Sequence, residues 1–350
     1  MAIASHLSSR VQAHFFSSKV CARFAYESGA FHSVKAIEFN KPSTASVEIA
    51  QMDAIVSVNT TRFHEIICSQ SKPHFFLDTL AWARPVSLAL LDDVEAYYIQ
   101  SFFEHPHNSP DWKNEKVQEV GVVRQCGSRS REPQGDHALV HLGGLTSPVI
   151  PDEVCREFVQ RTLELLKYCP GKITLLLPPH FQHVAKPSHI CIKSCALSEL
   201  SGLFEQSAVS ITTPGIEHVY ESIFHGAPTY LLPPFNSTQV LQTRYFKRSL
   251  PGMVLYNDIE DFDSVDFGNL VDAAHQTHQV ALGGTWEKMF NQLERKMPGV
   301  LDRINSARNS KLLELQQGAV SSISVNGAFR IAQDIEQRLD SDNDVTSTVH

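Results

Sequence analysis

Apolar positions along the chain fall into two alternating rhythms: short β-branched or aromatic runs, and longer stripes repeating every three to four residues. In the first part, runs at Val11 to Phe16, Val34 to Phe39, Asp53 to Val58, Pro73 to Leu77, Glu95 to Gln100 and Val117 to Val123 predict strands. Met1 to Ser9 reads as the end of an amphipathic helix, and Ser18 caps a helix through Tyr26 that stops near Gly29. In the second part, strands are expected at Ala138 to Leu142, Ile173 to Leu177, His189 to Lys193, Val209 to Thr212, Thr229 to Leu232 and Met253 to Tyr256. Helical stripes stand at Asp152 to Tyr168, Leu197 to Phe204, Trp286 to Leu293, Leu301 to Gln317 and Gly327 to Leu339. Strand alternating with helix calls for doubly wound parallel sheets, the α/β class.

The polar stretch Arg124 to Gly135, containing Gly127 and Pro133, reads as a linker. It divides a first domain, 1–123, from a second, 136–325, with 124–135 between them. A last helix, 326–339, carries the stripe Ala328, Ile331, Ala332 and Ile335, and a polar acidic tail, 340–350, is expected to be disordered.

The 350 residues suffice for two domains with a core each, and the net charge of −8 argues against nucleic acid or an anionic membrane as main partner. No apolar run has the length of an integral membrane span, and the start lacks a secretory layout, so a cytoplasmic location is expected. Seven cysteines without a C-x-x-C pair read as buried small hydrophobes; Cys191 and Cys195 are the closest two. His105-Pro106-His107 does not complete a metal shell, because residues two apart in an extended segment point to opposite sides, and no metal is expected.

The chemistry concentrates between Ile211 and Phe235. Pro214-Gly215 ends a strand and opens a helix whose first amides, over Gly215, Ile216 and Glu217, lack intrahelical partners and suit a phosphate. Glu221, one turn beyond Glu217, can accept two hydrogen bonds from a diol. Gly143-Gly144 and Thr146, after the strand at 138–142, offer a second wall of amides and a hydroxyl.

The segment TTPGIEHVYESIFHGAPTYLLPPFNSTQVLQTRYF, beginning at Thr212, resembles the donor-binding signature of GT-B glycosyltransferases. That family includes the macrolide, UDP-glucuronosyl and peptidoglycan N-acetylglucosaminyl transferases. The resemblance implies two doubly wound domains facing a cleft, with Thr213 and Gly215 at a diphosphate and Glu221 at the ribose. Thr238 and Gln239 fall at the donor sugar, Thr238 standing where an acid is usual, and the turn with Cys195 and Leu197 falls at the base. Phe76-Leu77-Asp78-Thr79-Leu80 followed by Trp82 is similar to a V-D-S-L-x-x-x-W segment of some natural-product members. It makes Asp78 the candidate general base, with a helix cap as the alternative. The resemblance also implies a first strand and Gly-rich loop ahead of the Met1 segment, which leaves the first domain incomplete at its start and a partner subunit open. The implied activity is inverting transfer of a sugar from a nucleoside-diphosphate donor to a small-molecule acceptor, in natural-product or cell-envelope biosynthesis, with no further cofactor. A non-catalytic nucleotide-sugar-binding subunit or sensor, and an epimerase of the same fold, are the alternatives.

Overall fold

In chain order the elements are a 3-10 turn (Ala4–His6), β1 (His14–Ser17), α1 (Lys19–Ser28), β2 (Ser33–Ala36), α2 (Ser46–Ala50), β3 (Ile55–Val58), α3 (His64–Ser69), β4 (His74–Asp78), α4 (Leu88–Leu91), β5 (Ala96–Gln100) and β6 (Val117–Val120). Then come β7 (His137–His141), α5 (Asp152–Lys167), β8 (Ile173–Leu176), β9 (Ile190–Lys193), α6 (Leu197–Glu205), β10 (Ser207–Thr212), α7 (Ile216–Phe224) and β11 (Thr229–Leu231). The helices α8 (Ser237–Ser249), α9 (Leu270–Val280), α10 (Trp286–Leu301), α11 (Ala307–Val320) and α12 (Gly327–Ser347) complete the chain. This computed structural model describes residues 1–350 apart from 38–44, 62, 83–87, 101–112, 124–135, 146–149, 179–180, 182–183, 196, 251, 269, 303–306, 322 and 348–350. Residues 1–126 with 323–350 form one unit and residues 127–322 another.

In the first unit, β3, β4, β5 and β6 pair side by side in parallel. β4 and β5 are buried along their whole length, as expected of strands covered on both faces. Phe76, Tyr97 and Ile99 pack with Leu90 and Leu91 of α4 on one face, while Phe75, Leu77, Tyr98 and Val120 meet Ile331 and Ile335 of α12 on the other. The start of α12 is held backbone to backbone: Val122 N donates to Ser324 O at 2.7 Å, and a Cβ on Gly327 would lie 2.0 Å from the Gly121 carbonyl oxygen. Only glycine fits there.

β1 and β2 pair in parallel as a separate two-stranded sheet. β1 and β3 both line a cavity of about 1040 Å³, which Val11, Phe15, Ile55, Ile335 and Leu339 make largely apolar. Among the described residues each of these strands has one strand neighbour, so each keeps an open edge. Amide hydrogen exchange is expected to be faster in β1 and β3 than in β4 and β5, which have neighbours on both sides.

The second unit is a five-stranded parallel sheet in the order β11-β10-β7-β8-β9. α5 begins after Pro151 with Asp152 and Glu153 in its first turn, which suits the positive end of its dipole. It buries Val154, Phe158, Val159, Leu163 and Leu166 at helical spacing against the sheet. The β11 edge is covered by a side chain: Gln316 of α11 donates Nε2 to Thr229 O and accepts Thr229 N at Oε1, at 2.7 and 2.9 Å.

The structure departs from the sequence pattern at several places. The expected N-terminal helix end is a single 3-10 turn, and the first strand stands at His14–Ser17, three residues later than the apolar run suggests. Met253 to Tyr256 makes only one bridge, Leu231 to Val254, because Tyr256 sends its hydroxyl to Leu232 O at 2.8 Å and packs into the core instead of extending the ladder. The stripe from Trp286 runs on to Leu301, since Met297 and Val300 continue its buried face, and the next helix starts at Ala307. α12 continues to Ser347, so residues 340–347 are helical where a disordered tail was expected.

Candidate functional site

The strand order of the second unit defines where a ligand can sit. From β7 the chain winds one way through β8 and β9, then returns to place β10 and β11 on the other side of β7. The connections leaving the carboxyl ends of β7 and β10 therefore diverge, and such a switch point opens a crevice in a parallel sheet. Gly143-Gly144 follow β7 and Thr213-Pro214-Gly215 follow β10. Two segments separated by about seventy residues thus meet at one spot.

Hydrogen bonds fix them there. Thr213 Oγ1 donates to Gly143 O at 2.9 Å, and Gln239 Nε2 donates to the same carbonyl at 3.0 Å. The other end of the Gln239 amide accepts Phe235 N at 2.8 Å, so Gln239 braces the β7 loop against the segment entering α8. Asn236 caps α8, its Oδ1 accepting both Gln239 N at 3.0 Å and the Thr238 hydroxyl at 2.9 Å. Gly144 has φ +83°, and a Cβ there would stand 3.0 Å from Gln239 Nε2 and 3.1 Å from Asn236 Nδ2, so the protein itself demands glycine.

Gly215 differs. It caps α7 in an extended conformation with φ −156°, and its Cβ would meet nothing nearer than His218 Nδ1 at 3.6 Å. α7 starts immediately, so its first-turn amides point away from the helix body towards the switch point. His218 stacks on His141, the last residue of β7, with centroids 3.9 Å apart and planes 24° apart. Crowding by protein holds both imidazoles below their ordinary pKa, His218 at about 4. Nδ1 of His141 is sealed from solvent and has no partner among the described residues.

Glu221 is buried one turn along α7, while Glu217 in the first turn is exposed. Cys195 is partly buried beyond β9, at the same carboxyl end of the sheet but two strands from β7, about 10 Å away at ordinary strand spacing. Leu197 begins α6 with its side chain outside the described residues, and Thr146 lies outside them altogether. Asn236, His141 and His218 belong to the site without having been singled out in the sequence. The N-cap pattern Asn236-Ser237-Thr238-Gln239 was the available signal for the first; the two histidines are far apart in sequence and carried none.

Asp78, at the carboxyl end of β4, is 1% exposed. Its Oδ2 accepts the Tyr97 hydroxyl at 2.7 Å and its Oδ1 accepts Leu80 N at 2.8 Å. The same turn is tied by Asn59, which donates Nδ2 to Thr79 Oγ1 and accepts Thr79 N, and by Trp82 Nε1 donating to Thr79 O. In this geometry the Asp78 carboxylate anchors a turn. Asp78→Ala is expected to destabilise the first unit by about 1–3 kcal/mol, because it leaves the Tyr97 hydroxyl buried without this acceptor. Urea unfolding followed through the first unit checks this, and Tyr97→Phe with Asp78→Ala completes a double-mutant cycle.

No family model and no curated protein sequence matches the chain. Solved structures do. The Os79 structure from O. sativa with U2F and trichothecene aligns at TM-score 0.57 and 10% identity over 96% of this chain and 94% of that one. The LpCGTa complex with UDP aligns at 0.53 and 11% over 94% and 92%, and the glycotransferase of kitacinnamycin at 0.52 and 14% over 96% and 94%. The all-parallel sheets of two α/β units and this likeness along nearly the whole chain define the GT-B class of fold. The chain resembles the GT-B glycosyltransferases, and at these identities what it shares with them is the fold.

Proposed function

We propose that the chain is a glycosyltransferase that takes a nucleoside-diphosphate sugar, with uridine as the base, in its second unit and a small-molecule acceptor in its first. The observation that carries this reading is the convergence at the β7/β10 switch point of two glycine turns and the open N-terminus of α7. Amides placed there would stabilise the negative charge that grows on a departing diphosphate, without reorganising during the reaction. Glu221 would accept from the ribose hydroxyls, and the Cys195 turn would offer backbone groups to the base edge. One of the structures similar in fold was solved with UDP, which is the support for uridine.

Calorimetric titration of the folded chain with UDP, TDP, GDP and ADP, alongside Glu221→Ala, tests the reading. UDP binding with an affinity the variant reduces at least tenfold is expected, about 1.4 kcal/mol or more. A folded chain that binds none of the four would refute it. The engagement of Asp78 by Tyr97 and Leu80 favours one second reading, a subunit that binds the nucleotide sugar without transferring it. That protein would bind UDP yet release none from UDP-sugars across an acceptor panel.

A further inference from the structure

Three metal-ligating side chains converge in the first unit, away from the residues considered so far. His64 and Cys68 stand one helical turn apart on α3, which puts them on the same face. Asp93, in the turn between α4 and β5, comes alongside them. His64 Nε2 lies 3.0 Å from Asp93 Oδ2, and Cys68 Sγ lies 3.7 Å from each ring nitrogen of His64. The three ligand atoms all fall within 4.8 Å of one another.

Ordinary zinc bond lengths in a tetrahedron place N and O ligands about 3.3 Å apart and N and S ligands about 3.6 Å apart. The His64–Asp93 separation is within a few tenths of an ångström of its edge, and Cys68 Sγ, which stands equally far from both ring nitrogens, reaches the ion by turning about its Cα–Cβ bond towards Nε2. We propose that His64, Cys68 and Asp93 form a three-ligand site for a zinc-class divalent cation, with water in the fourth position. One imidazole, one thiol and one carboxylate suit a borderline-soft ion, whereas magnesium and calcium prefer shells of oxygen. Cys68 and Asp93 are exposed, so an aqueous ion can reach them. Another imidazole, His74, has its ring centroid 5.7 Å from that of His64, is buried, and shares a hydrogen bond with Ser57 Oγ at 2.9 Å.

Binding replaces the Cys68 S–H proton by the metal and releases that proton to solvent. The ion would tie α3, beside β3, to the turn before β5. The reduced full chain titrated with cobalt(II) chloride tests this. A thiolate-to-cobalt charge-transfer band in the near ultraviolet, saturating at one ion per chain and abolished by equimolar zinc, is expected. Cys68→Ser should lose the band, Asp93→Asn should weaken binding at least about tenfold, and Cys21→Ser, which removes an exposed thiol elsewhere, should change neither. Absence of the band in the folded chain, or its persistence in Cys68→Ser, overturns the proposal. Should Cys68→Ser not fold, His64→Gln and Asp93→Asn decide, and an unchanged cobalt affinity in both overturns it equally.

Discussion

Gly215→Ala is expected to fold as the parent chain does and to bind UDP about a hundredfold more weakly, a loss of about 2.7 kcal/mol. The two halves of that result have separate causes. At φ −156° the backbone is open to any residue, and the added methyl would meet His218 Nδ1 at 3.6 Å and Thr213 O at 3.8 Å, ordinary contacts. Alanine is a poorer N-cap than glycine, so the stability cost stays within about 1 kcal/mol. A phosphate oxygen, however, must come within about 2.9 Å of the α7 amides to be held, and a methyl on the cap occupies that approach. Gly144→Ala gives a contrasting outcome. Its left-handed φ of +83° and the 3.0 Å contact to Gln239 Nε2 force strain into the fold, so stability and binding fall together. Thermal unfolding with and without UDP distinguishes the two: a midpoint without UDP within about 4 °C of the parent in Gly215→Ala, coupled to lost stabilisation by UDP, is the expected pattern. Full UDP affinity in that variant would remove the first turn of α7 from the site.

Why could the sequence show Gly215 but not explain Gly144 or Gln239? The run Ser207 to Leu231 announces itself locally, through a β-branched strand, a Pro-Gly break and an amphipathic helix, and the structure has β10, α7 and β11 there. The stripe of α12 was equally legible, because Ala328, Ile331, Ala332 and Ile335 repeat at helical spacing and all are buried. Strand order is a different kind of fact. Nothing local says that the chain jumps from β9 across to the far side of β7, yet that jump creates the crevice. Gln239 belongs to a motif that the resemblance places at a donor sugar, but its amide is engaged at both ends by Gly143 and Phe235. Asp78 could be seen at a strand end, while the hydroxyl it faces comes from Tyr97, a residue of the neighbouring strand. His64, Cys68 and Asp93 escaped for the same reason, since Asp93 is drawn in by tertiary packing. Local chemistry was readable; partners across the fold were not.

Trp286→Ala should be the most damaging single change in the second unit, at about 3–5 kcal/mol. Trp286 is 1% exposed, and its ring stands 5.0 Å from Phe158 of α5 and 6.0 Å from Phe235, so one side chain joins α10, α5 and the segment leading to α8. Deleting it opens a cavity lined by rigid aromatic rings, which relax little into the space. Its indole also donates to Pro234 O at 2.9 Å, next to His278 at Phe235 O and just ahead of the Asn236 cap. Trp286→Phe separates packing from hydrogen bonding: it retains most of the ring but leaves the Pro234 carbonyl without that donor, and about 1–3 kcal/mol is expected from the loss. Urea midpoints for the two variants should therefore order parent, Phe, Ala. If the Ala variant loses less than about 1 kcal/mol, the aromatic cluster is not what holds the Asn236 segment against the sheet. The Phe variant is the more informative for function. It should still fold, so any fall in UDP affinity reports how tightly the Pro234 carbonyl fixes Asn236 and, through Gln239, the Gly143 turn.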